Sequence, residues 1–303
     1  MNFPIREGFI SFHGYRTWYR IVGDKEEAGK FPLLCLHGGP GMAHDYLETL
    51  EAIAGTGRRV IFYDQLGIGN SDHPHDPSLW NVELFVEEVG AIRKSLGLDY
   101  IHLLGQSWGG FLAQEYMLTK PSGVKSLVLA NSAASTERWI VEANLLRAQL
   151  PNEIQETLNK HEQARSTDDP AYVSATDVYY RRHLCRLDPW PDCLNRTLTK
   201  LSQEPEVYNS MWGPSEFYCT GTLQNWNIEN RLHEIHVSTL ILSGRHDEST
   251  PTINEVLHHG IQNSEWIVFE ESSHTPHLEE TGKYLQVLTG FLTRMEVKYK
   301  YPC

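Results

Sequence analysis

IHLLGQSWGGFLAQEYM, residues Ile101–Met117, joins an apolar run to a helical pattern across one sharp corner. The run 101–104 is short and mainly apolar, as a strand buried in a sheet is. From Gly109 the spacing turns helical, with Phe111, Leu112, Tyr116 and Met117 apolar and no proline. Between the two, Gly105-Gln106-Ser107-Trp108-Gly109 spells G-x-S-x-G. Strand, tight turn and helix around that motif predict a nucleophile elbow with Ser107 at its tip. Glycine two positions either side of the serine keeps Cβ atoms out of a turn where backbones nearly touch. Alone, the motif reads as a Gly/Ser loop. The strand and helix that flank it are what point to a nucleophile.

The strand pattern recurs on both sides. Residues 8–22 read as two short strands around His13-Gly14. Leu33-Leu34-Cys35-Leu36 is a buried run that ends in His37-Gly38-Gly39-Pro40-Gly41, and a helix is expected over 44–55. Residues 59–63, RVIFY, form the next strand and lead into Asp64-Gln65-Leu66-Gly67; helical spacing covers 81–96, and Val124–Ala130 is another strand. Buried strands alternating with amphipathic helices predict an α/β fold: a mostly parallel, doubly wound sheet with functional loops at the carboxyl ends of its strands. From Ser135 buried strands cease, and helices are expected over 136–150, 151–165 and 172–187, before a Pro/Trp-rich bend at 188–191. Strands return at 237–243 and 265–270, followed by a helix over about 279–296. The implied organisation is a core of residues 1–134 and 233–303 interrupted by a helical cap, 135–232.

Composition narrows the function classes. The 303 residues are 40% hydrophobic and 21% charged, as in soluble globular chains. A net charge of -13 argues against nucleic acid or an anionic membrane as partner. The N-terminal stretch carries Arg6 and Glu7 with no apolar core of a signal peptide, and no segment approaches a membrane span. Cytoplasmic localisation is therefore expected. Five scattered cysteines, Cys35, Cys185, Cys193, Cys219 and Cys303, lack a C-x-x-C pair and read as reduced thiols. Asn195-Arg196-Thr197 matches a glycosylation sequon by chance, and the tail 298–303 forms no prenylation signal. No H-E-x-x-H or clustered Cys/His set is present, so neither a metal nor a cofactor is expected.

A nucleophilic serine needs a base, an orienting carboxylate and donors for the oxyanion. In this architecture they follow in the order serine, acid, histidine. The loop after strand 237–243 offers Asp247 or Glu248, and the loop after 265–270 offers His274 or, as a fallback, His277. Asp247 and His274 are the expected partners of Ser107. The oxyanion donors are expected to be the backbone amides of Trp108 and Gly39.

The set HGGPG (37–41), YDQLGIGNSD (63–72), GQSWGG (105–110), GRHDE (244–248) and SSH (272–274) resembles the proline iminopeptidases, α/β-hydrolase-fold serine aminopeptidases. Met211-Trp212-Gly213-Pro214-Ser215-Glu216-Phe217 with Thr220-Gly221-Thr222 is similar to the cap segment of the tricorn-interacting aminopeptidase branch. The resemblance implies that Glu216 and Glu248 hold the free amino group of a small-molecule or short-peptide substrate, with Tyr208 lining the same end. It departs at Leu66, where the family's D-Q-R-G has arginine, and at Trp212, where the branch has asparagine. Relatives with these motifs include amino-acid amidases and hydrolases of small metabolites, so amidase or esterase chemistry on the same triad is the alternative implied.

Overall fold

The computed structural model describes residues 3–300, with side chains through Lys298; of the tail read above, residues 301–303, Cys303 among them, lie outside these residues. The chain opens with a hairpin, β1 (Ile5–Phe12) and β2 (Tyr15–Val22). His13 and Gly14 both adopt positive φ at its two-residue turn, the geometry that matches strand twist. Then follow β3 (Leu33–Leu36), β4 (Val60–Tyr63), β5 (Ile101–Gln106), β6 (Val124–Ala130), β7 (Thr239–Gly244) and β8 (Ser264–Phe269). They form one sheet in the order β1-β2-β4-β3-β5-β6-β7-β8. β1 and β2 are antiparallel, as are β2 and β4; every other pairing is parallel.

The apolar runs are explained by what lies on each face. Side chains alternate across a strand. Leu34, Leu36 and Leu103 enter one core with α1 (Val82–Ser95), α2 (Trp108–Leu118) and α8 (Pro251–Gly260). Leu33, Cys35 and Leu104 enter a second core with α10 (Thr281–Lys300). Both faces are covered, so no strand position needs to be polar.

Residues His44–Thr56 form a 3₁₀-helix where an ordinary helix was expected. Its buried His44, Leu47, Leu50 and Ile53 are spaced by three, which lines them on one face only at the 3₁₀ pitch. Between β6 and β7 the chain inserts α3 (Thr136–Arg147), α4 (Asn152–Ala164), α5 (Pro170–His183), α6 (Asp192–Gln203) and α7 (Glu206–Met211). The last two follow Pro191 and Pro205 and were not anticipated beyond the bend at 188–191. The C-terminal helix starts later than expected, because Pro276–Glu279 makes a separate turn, α9. Among the described residues, no helix is long and apolar enough to cross a membrane, and Cys35, Cys185, Cys193 and Cys219 are free.

Candidate active site

β5 ends at Gln106 and α2 begins at Trp108, so Ser107 alone makes the corner. Its φ of 56° and ψ of -125° lie in a region that side chains rarely adopt. A Cβ on Gly105 would sit 2.0 Å from the carbonyl oxygen of Gly109, and one on Gly109 would sit 2.2 Å from that of Leu36. Both glycines are therefore required by backbone proximity. The strained corner is braced: the Ser107 amide donates to the Ala130 carbonyl at 2.9 Å, and the Ser132 hydroxyl donates to the Ser107 carbonyl at 3.0 Å.

The loops after β7 and β8 bring Asp247 and His274 together. Nδ1 of His274 lies 2.7 Å from Oδ1 of Asp247, and both side chains are buried. Asp247 also accepts from the Ser249 amide at 2.8 Å and from Nδ2 of Asn131 at 2.6 Å. Asn131, the residue directly after β6, was missed in the sequence; its only signal there is its place at the end of a strand. His277, the fallback base, does not join this group. It is buried against the Tyr46 carbonyl, 3.1 Å from its Nε2, and burial pushes its imidazole down to about 3. It is a structural histidine.

The glycine-rich loop after β3 lies directly against the elbow, since a Cβ on Gly38 would be 2.9 Å from the Ser107 Cβ. The Gly38 amide is taken by the Tyr46 hydroxyl at 2.7 Å. The amides of Gly39 and Trp108 have no acceptor among the described residues. The Trp108 indole is held aside, donating to Gln65 Oε1 at 2.9 Å. Tyr46 also donates to Gln106, whose Nε2 donates to the His274 carbonyl at 3.2 Å. One chain of bonds thus ties the glycine loop, the elbow and the histidine loop. Neither Tyr46 nor Gln106 was identified from the sequence.

Glu216 and Glu248 converge from the cap and the core. Glu216 accepts from the Tyr208 hydroxyl at 2.8 Å. Burial pushes the Glu216 carboxyl up to about 7, against the Tyr208 bond and the His274 charge, which lower it. Glu248 is fully buried, and neither of its carboxylate oxygens has a hydrogen-bond partner. Burial and then the neighbouring Glu216 and Asp247 raise it well above the usual carboxylate range. Such a group is costly unless something polar or cationic completes it. Trp212 packs edge-on against Trp139, at 5.7 Å between ring centroids, and Trp139 lies edge-on to the His274 ring at 5.6 Å. The asparagine-to-tryptophan departure therefore adds an aromatic wall one ring away from His274.

His44, Asp45 and Glu48 bring potential metal-binding atoms within 4.8 Å of one another. Asp45 and Glu48 are already engaged by Lys200 and Arg196 of α6, and Nδ1 of His44 by Asp64, so the cluster serves to dock the cap.

Residues 32–281 match the profile of the α/β hydrolase fold family. A proline iminopeptidase of Clostridium botulinum is 41% identical over 96% of this chain and 99% of its own length. One from Lactobacillus helveticus is 39% identical, covering 95% and 98%. Among solved structures, VinJ superposes with a TM-score of 0.93 at 42% identity, covering 96% of this chain and 99% of VinJ. A proline iminopeptidase of Mycobacterium smegmatis does so at 0.90 and 38%, covering 97% and 100%.

Proposed function

Because the chain belongs to the proline iminopeptidase family of α/β hydrolases, we propose that it releases one N-terminal residue, proline or another small apolar one, from short peptides or amino-acid amides. The observation that carries this reading is the pair of carboxyls, half-buried Glu216 and fully buried Glu248, with no Lys or Arg bonded to either among the described residues. An α-amino group has a pKa of about 8 and is mostly cationic near neutrality. It would fill this gap, and the buried wall behind it would exclude a longer N-terminal extension.

His274 accepts the Ser107 proton as the hydroxyl attacks the substrate carbonyl. Asp247, on the other ring nitrogen, selects the tautomer and stabilises the imidazolium. The free amides of Gly39 and Trp108, the latter at the N-terminus of α2, receive the oxyanion. His274 then protonates the leaving amine, the C–N bond breaks, and water hydrolyses the acyl-enzyme. The scattered thiols support a cytoplasmic location, and the net charge of -13 supports small cationic substrates over nucleic acid.

The test is a panel of alanine, proline and phenylalanine anilides, each with a free and an acetylated amine, alongside an uncharged ester. Turnover confined to free amines supports the reading. Equal rates on acetylated anilides, or reaction with the ester alone, would leave an esterase on the same triad.

A further inference from the structure

Three phenols surround the two carboxyls, and they are not equivalent. Tyr208 donates to Glu216, and Tyr180 lies near both. Tyr179 is completely buried, yet its hydroxyl has no partner. Its ring is clamped by Phe217 at 4.9 Å and by His183 at 4.9 Å between centroids. These neighbours locate it between the two halves of the site. Phe217 adjoins Glu216. His183 bonds the His246 carbonyl through Nδ1 at 2.9 Å and accepts the His274 amide at 3.2 Å. The carboxylates acting most strongly on this phenol are Glu248 and then Glu216; burial first, and these charges after it, hold it far above the ordinary tyrosine range. It is therefore a neutral hydroxyl at any working pH. Buried hydroxyls and carboxylates without partners are rare in folded proteins. Tyr179 and Glu248 are both such groups.

We propose that Tyr179 is a third acceptor for the substrate's amino group, which matches the site to a primary α-ammonium over the ammonium of an N-terminal proline. A primary ammonium presents three N–H donors, one each for Glu216, Glu248 and Tyr179. Proline presents two, which the glutamates take, so it binds without engaging the phenol. The inference rests on the amine-anchoring reading above and specifies its substrate class.

Tyr179→Phe keeps the ring on Phe217 and His183 and removes only the oxygen. Two substrates that differ by one N–H, L-alanine 4-nitroanilide and its N-methyl counterpart, isolate the contact. The variant is expected to lose about tenfold or more in kcat/KM on the primary amine, mostly through KM, and less than about threefold on the N-methyl substrate. Equal losses on both would make Tyr179 a packing residue, and no loss on either would leave its hydroxyl without a role in binding; each overturns the inference. Should the variant not fold, competitive inhibition of the wild-type enzyme by L-alaninol and N-methyl-L-alaninol makes the same comparison. Tighter binding of the primary amine by about tenfold is expected, and equal inhibition constants overturn the inference. Failure of the underlying reading is separate and visible in the wild type: acetylated and free-amine anilides would then react alike, and the inference would fall with it.

Discussion

Oε1 of Glu248 lies 3.8 Å from Nε2 of His274, while the preceding residue, Asp247, holds Nδ1 of the same ring. Consecutive residues of one loop thus address opposite edges of one imidazole. An amino group bound at Glu248 is held within one residue of the base. Under the amine-anchoring reading, the carbonyl presented to Ser107 is that of the first residue, as release of a single amino acid requires.

Glu248→Gln and Glu216→Gln keep the shape of the site and remove its charge. Each is expected to lower kcat/KM on free aminoacyl anilides by about thirtyfold or more, the scale of losing one partner of a buried charge pair. Hydrolysis of an uncharged ester should change little. Steady-state kinetics on both substrates checks this, and equal losses would remove the amine-anchoring role.

The pH profile should carry the same signature. The Glu216 carboxyl, raised by burial to about 7, takes up a proton as pH falls through that value and then no longer holds an ammonium. At the alkaline side the substrate amine loses its own charge above about 8. For alanine anilide, kcat/KM should therefore fall more steeply below pH 7 than it does for an uncharged ester. In Glu216→Gln that difference should disappear.

Ser107 trades stability for reactivity. Glycine adopts a φ of 56° without the steric penalty that serine bears there. Ser107→Gly should abolish turnover yet gain about 1 kcal/mol of stability, whereas Ser107→Ala should abolish turnover without that gain. Denaturant midpoints of the three proteins test it; a destabilised glycine variant would show that the corner carries no strain.

A further buried acid, Glu88, lies outside the active site. Glu88 on α1 accepts from the Thr17 hydroxyl and from the Leu66 amide, and burial raises it to about 8. At the position where the family has arginine, Leu66 offers only its amide. The folded-state value exceeds the unfolded one, so the contribution of Glu88 is full below about 4.5 and is lost as pH rises through 8. Glu88→Gln should raise the melting temperature at pH 8–9 by about 3 °C or more and have little effect at pH 5, read by thermal melts across that range.

The elbow, the strand order of the triad and the two-faced burial of the sheet were legible in the chain because each rests on local chemistry. Gly105 and Gly109 flank a turn that admits no Cβ, and runs such as 33–36 are apolar because both faces are covered. His274 rather than His277 followed from its distance to the end of β8. The 3₁₀ pitch of 44–56 was written in a spacing of three, though a helix of ordinary pitch was read from it. Family resemblance pointed to Glu216 and Glu248, but nothing local distinguishes either from a solvated acid. What only the tertiary structure decided is which polar groups remain unsatisfied. Asn131 is recruited to Asp247 across 116 residues, and Tyr179 and Glu248 are left without partners by elements far apart in the chain. Hydrogen-bond satisfaction is a property of the packed neighbourhood, and periodicity along the chain cannot encode it.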